Sequence, residues 1–104
     1  MKNAKEEFLR AIEDETLICA KIGKEKSYDE KIWYILKPRF TKKAFKEFLN
    51  NIDFNYDSGF GCQQLYGIIL FKDSYSDRGE YDGSEWWEYH KIPTTKQVLN
   101  YGDE

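Results

Sequence analysis

The chain is most informative first in what it lacks. None of its 104 residues belongs to an apolar run approaching the roughly 18 residues that a membrane-spanning helix needs, so no such helix is expected. No apolar stretch follows Met1-Lys2 to serve as a secretory signal, and a cytoplasmic protein is the expectation. Cysteine is scarce: Cys19 and Cys62 lie far apart, form no CxxC pair and no zinc spacing, and read as reduced thiols. Only one histidine, His90, is present, and no Gly-x-Ser-x-Gly elbow accompanies it. Gly59, Gly61 and Gly67 are followed by no Lys-Ser/Thr pair, which removes the usual phosphate cradle. Asp77, Glu80 and Asp82 do not meet the alternating ligand pattern of a calcium loop. The expectation is a non-enzymatic protein with no cofactor and no metal.

Aromatic residues are plentiful instead. Seven Phe, eight Tyr and three Trp make up 17% of the chain, and 40% of residues are hydrophobic, which is enough for one domain over 1–104 to bury a core. There is no repeat, low-complexity tract or linker, and Pro38 and Pro93 fall where strands should end.

Periodicity gives the elements. Asn3 followed by Glu6 resembles a capping box, and Phe8, Leu9 and Ile12 make an apolar stripe, predicting a helix over about 3–14 that packs on a sheet. Residues 17–22 and 32–36 read as antiparallel strands around a long polar hairpin loop opened by Gly23. In the second strand Ile32, Tyr34 and Leu36 point one way and Trp33 and Ile35 the other. Both faces are apolar, so a central position is expected. Thr41 is a good N-cap, Phe40 and Phe45 form a hydrophobic staple, and Phe45, Phe48, Leu49 and Ile52 supply the buried face of a second helix.

A turn-rich segment over 53–61 follows. Residues 64–71 then read as a mid-sheet strand, and 75–81 and 84–92 as strands joined at Asp82-Gly83. In the last strand Trp86, Glu88 and His90 share one face, Trp87 and Tyr89 the other. A short helical turn through Val98 and Leu99 ends the chain or frays. The fold class is α+β: an antiparallel sheet of four to five strands with two helices mostly on one face, in the order α-β-β-α-β-β(-β).

Charge is divided along the chain. Residues 1–50 hold 12 Lys and Arg against 9 Asp and Glu, net +3, whereas 51–104 hold 4 against 10, net −6. Over 73–90 the acids Asp73, Asp77, Glu80, Asp82, Glu85 and Glu88 face Arg78 alone. Such a segment repels a nucleic-acid backbone and attracts a basic protein surface, although a solvated hairpin would carry the same charges. Lys37, Arg39, Lys42, Lys43 and Lys46 cluster at the start of the second helix, against its macrodipole. With helices on one sheet face only, some of Trp33, Tyr34, Tyr66, Tyr75, Tyr81, Trp86, Trp87 and Tyr89 must sit on the open face, unless the core takes them all. Exposed Trp and Tyr anchor protein partners and also stack single-stranded bases. The surrounding acids favour the protein partner. Asp77, Glu80, Tyr81, Asp82, Glu85, Trp86, Glu88 and Tyr75 are the candidate partner-binding residues. Glu88 beside His90 could orient an imidazole for hydrolysis, with no nucleophile in view.

The string Arg78-Gly79-Glu80-Tyr81-Asp82-Gly83-Ser84-Glu85-Trp86-Trp87-Glu88-Tyr89-His90, with the strand over 66–71 and the lead-in over 57–61, resembles a family of small uncharacterised proteins of phages and prophages. The resemblance covers residues 53–92. It brings no catalytic residue and implies an accessory protein of a mobile element, acting in the host cytoplasm. By analogy of size, charge and setting, an inhibitor of a host nucleic-acid-binding defence enzyme is implied, of the anti-CRISPR type, with a CRISPR effector nuclease as candidate partner. A single-stranded nucleic-acid binder is the alternative, and an exposed strand edge leaves a homodimer open.

Overall fold

The computed structural model describes residues 1–27, 30–57 and 62–102. Their order is β1 (Lys2–Asn3), α1 (Ala4–Ala11), β2 (Leu17–Ser27), β3 (Glu30–Leu36), α2 (Lys42–Asn51), β4 (Asn55–Tyr56), β5 (Leu65–Phe71), β6 (Ser74–Tyr81), β7 (Ser84–Lys91) and α3 (Thr95–Leu99). Five strands form one antiparallel sheet in the order β3-β2-β5-β6-β7, and β1 pairs with β4 in a second, two-stranded one. The fold is α+β, as the patterning predicts.

Local chemistry sets the helix starts. Asn3 Oδ1 accepts from the Glu6 amide at 3.0 Å, and Thr41 Oγ1 accepts from the Ala44 amide at 3.0 Å, each satisfying an orphan donor of the first turn. Glu6 and Glu7 in the first turn of α1 and Arg10 in its last suit the helix dipole. Phe40 and Phe45 stack with centroids 5.6 Å apart, closing the staple at the entry to α2. The Asp82-Gly83 turn joins β6 to β7 with both residues at positive φ, 52° and 85°, the mirror-image turn whose twist matches antiparallel strands.

Both longer helices cover the same sheet face. Phe8 of α1 meets Phe48 of α2 edge-on, with centroids 5.3 Å apart, and the two join Ala20, Ile22, Leu36, Ile52, Ile69 and Phe71 in the core. Full burial of each large side chain there is worth about 1.5–3 kcal/mol. Ala4, Tyr56 and Leu65 form a smaller core beneath the two-stranded sheet.

Three expectations are corrected. The strand over 32–36 is β3, and it lies at the sheet edge, not in the middle. Its two apolar faces reflect helices on one side and an uncovered aromatic surface on the other. The long polar loop is largely strand, because β2 runs to Ser27 and β3 begins at Glu30; Gly23 pairs with Trp33 inside the ladder. Its lysines keep to the sheet by lying over rings, Lys24 on Phe54 and Lys31 on Tyr66, each 4.3 Å from the centroid. Leu9 is exposed, and Ala4, Phe8 and Ala11 at i, i+4, i+7 make the inner face of α1 with Ile12. Part of the turn-rich segment, 58–61, lies outside the described residues. No helix among the described residues is long and apolar enough to cross a membrane.

Candidate functional site

Alternation along the strands leaves the sheet face opposite the helices uncovered. The register places on it Trp33 and Ile35 of β3, Cys19 and Lys21 of β2, Tyr66, Ile68 and Leu70 of β5, Tyr75, Asp77 and Tyr81 of β6, and Trp86, Glu88 and His90 of β7. Two of its rings are seated by missing side chains. A Cβ on Gly23 would lie 2.6 Å from Trp33 Cζ3, and one on Gly79 would lie 2.5 Å from Trp86 Nε1. Each indole therefore covers the backbone of a glycine directly across the ladder, one at each side of the sheet. Trp33 nevertheless stays 45% exposed and Trp86 38%. Ile35 and Ile68 add exposed apolar surface between and beside them.

Charge on this face is split. On the β2–β3 side, Lys21 Nζ sits 4.9 Å from the Trp33 ring and Lys31 lies over Tyr66. The Tyr66 hydroxyl is pushed above its ordinary value by burial first and by Glu25 second. On the β6–β7 side, Asp77 stands directly across from Glu88. His90 Nε2 is 2.9 Å from Asp77 Oδ1, and the His90 ring stacks on Tyr75, with centroids 4.8 Å apart. One ligand atom each from Asp77, Glu88 and His90 falls within 4.8 Å of the others. The acid paired with the imidazole is thus Asp77 from the neighbouring strand rather than Glu88 from its own.

The candidate residues separate accordingly. Tyr75, Asp77, Tyr81, Trp86 and Glu88 share the uncovered face. Asp82 stands exposed at the turn, and Glu80 Oε1 accepts from the Gly83 amide at 2.9 Å, holding that turn. Glu85 is a correction. Its side chain is fully buried on the helix side, where it accepts from the amides of Gln64 at 2.7 Å and Leu65 at 3.0 Å and from Arg78 Nη2 at 2.7 Å. It cannot meet a partner. The Arg78 side chain, only 2% exposed, also bonds the Tyr56 hydroxyl at 3.0 Å and lies 3.6 Å from Glu7, while Tyr56 donates to Glu7.

Sequence reasoning missed the seating of Trp33 on Gly23. The signal was a glycine two residues beyond Lys21 in a strand-like run, legible only once the hairpin register is known. The basic cluster of Lys37, Arg39, Lys42, Lys43 and Lys46 is exposed around the β3–α2 junction and along α2. A cleft of about 490 Å³ lies on the helix side, lined by Glu7, Arg10, Ser76, Trp87 and Tyr89 among others. The Asp77–His90 pair lies on the opposite face and is not among its walls, so that cleft gives the pair no water-excluding pocket for general acid–base chemistry. Comparison with family models, curated proteins and solved structures returned no match to the chain.

Proposed function

We propose that the chain is a non-enzymatic protein-docking module that engages its partner through the uncovered face of the five-stranded sheet. The carrying observation is the pair of indoles laid against Gly23 and Gly79 with their outer surfaces exposed. Rings held flat by the backbone lose little freedom on binding and offer large amphipathic area, which is what interface anchors require. Asp77 and Glu88 beside Trp86 select a basic partner: an arginine or lysine can stack on the indole and reach either carboxylate. The form favoured by the resemblance to phage proteins is inhibition of a host nucleic-acid-binding defence enzyme of the anti-CRISPR type, in the host cytoplasm. Mimicry of a phosphate row by the entire hairpin is not part of this reading, because Glu85 is buried and Glu80 is engaged at the turn.

The test is capture of a purified, RNA-loaded CRISPR effector nuclease by the immobilised chain. Trp86→Ala and the double reversal Asp77→Lys with Glu88→Lys should each weaken capture roughly tenfold or more, and added salt should slow association. No capture by the parent chain would remove the anti-CRISPR assignment. Undiminished capture by both variants would remove the docking face.

One observation favours a second reading. Lys21 and Lys31 flank Trp33 and Tyr66, the combination of cation and ring that holds single-stranded nucleic acid. Saturable quenching of tryptophan fluorescence by an oligonucleotide at low salt, lost in Trp33→Ala, would transfer the assignment to that half of the face.

A further inference from the structure

We propose that Asp77, Glu88 and His90 form a binding site for a first-row divalent metal ion, with zinc the ion their donor set fits best. Asp77 and Glu88 lie mid-strand in β6 and β7 and His90 near the end of β7, and their ligand atoms lie within 4.8 Å of one another. Zinc bonds of about 2.0–2.2 Å to nitrogen and oxygen put two tetrahedral ligands about 3.4 Å apart. His90 Nε2 and Asp77 Oδ1, now 2.9 Å apart, need separate by only about half an ångström to admit the ion. One imidazole with two carboxylates and no thiolate suits zinc or its neighbours, whereas calcium and magnesium prefer oxygen alone. Two carboxylates, a neutral imidazole and a divalent cation also sum to no net charge.

Other features of the sheet point the same way. The register sets Asp77 opposite Glu88, and like charges directly across a ladder disfavour the pairing. Among the described residues neither acid forms an ion pair with lysine or arginine, and Asp77 meets the His90 ring instead. The imidazole is held in place by its stack on Tyr75. Backbone strands and a packed ring keep donors closer to a fixed geometry than a loop would. On binding, zinc takes the Nε2 lone pair and the carboxylate oxygens, the ring proton sits on Nδ1, any second ring proton leaves to solvent, and water completes the shell on the exposed side.

This inference stands apart from the docking reading, because a bound zinc ion would occupy the Asp77 and Glu88 carboxylates which that reading offers to a basic partner, and its test uses the protein alone. The untagged full chain, stripped with chelator and titrated with zinc chloride by calorimetry, should bind one ion per chain, with no comparable binding of magnesium chloride. His90→Ala and Asp77→Asn should each weaken zinc by roughly tenfold or more. Asp82→Asn, at the exposed turn, should leave it unchanged. Nitrogen NMR of the histidine ring should move the Nε2 resonance on zinc addition, with the ring proton on Nδ1 in the bound form. Circular dichroism of the metal-free variants, matching the parent, separates lost ligation from lost folding. Absence of saturable zinc binding, equal binding in His90→Ala, or equal affinity for magnesium would each overturn the site.

Discussion

Glu85 and Trp86 are neighbours in sequence with opposite roles, and both roles are measurable. Glu85 is an anion in the interior that is tolerated because two backbone amides and the Arg78 guanidinium bond its oxygens. Glu85→Ala removes the acceptor for those donors and leaves a guanidinium that is itself 2% exposed without its main counter-charge. A loss of about 3–5 kcal/mol in urea unfolding is expected. Glu88→Ala, three positions on and exposed, should change stability by less than about 0.5 kcal/mol. Similar values for the two would show that Glu85 is not the internal tie described. Trp86 depends on a residue in another strand. Gly79→Ala would drive a methyl to 2.5 Å from Trp86 Nε1, so the indole must leave the sheet surface. Red-shifted tryptophan emission and a stability loss of about 1–3 kcal/mol are expected. An unchanged spectrum would mean that the ring is not seated there.

The helices and the β6–β7 hairpin obey short-range rules, which is why they could be read from the sequence. Thr41 and its bond to Ala44 are settled within four residues, so Thr41→Ala should cost about 1 kcal/mol by the shift in denaturant midpoint. The Phe40–Phe45 staple and the Asp82-Gly83 turn are equally local. The position of β3 was not legible, because a strand with two apolar faces is compatible either with the middle of a covered sheet or with the edge of a sheet bearing an open aromatic surface. The burial of Glu85 was not legible for a related reason. Alternation is compatible with placing Glu85 opposite Trp86, yet the sequence alone groups the two as partner-binding residues, because only the arrival of Arg78 and the amides of 64 and 65 makes that face a place for an anion. The same limit applies to the docking face and the metal-ligand cluster. Glu88 and His90 are visible as an i, i+2 pair, while Asp77 joins them only through the β6–β7 register.

Across the fold, one buried polar network ties the layers together. Tyr56 of β4 donates to Glu7 of α1 and accepts from Arg78 of β6, which in turn holds Glu85 of β7. Burial, and then the bond to Glu7, push the Tyr56 hydroxyl well above its ordinary value, with the charge and hydrogen bond of Arg78 pulling the other way. Tyr66 is displaced in the same direction, again chiefly by burial. In the unfolded chain tyrosine ionises near pH 10. Above that point the unfolded state gives up protons that the folded state retains, so stability must fall as pH rises, and it is unaffected by these groups below it. Urea unfolding at about pH 8 and about pH 11 should therefore show a clear drop in the parent chain. Tyr56→Phe should be less stable by about 1 kcal/mol at the lower pH, where its hydroxyl bonds are missing, yet lose less on going to the higher one. Equal losses in the two chains would mean that alkaline unfolding starts elsewhere, and that the contact of the N-terminal helix with the β6–β7 hairpin does not run through this phenol.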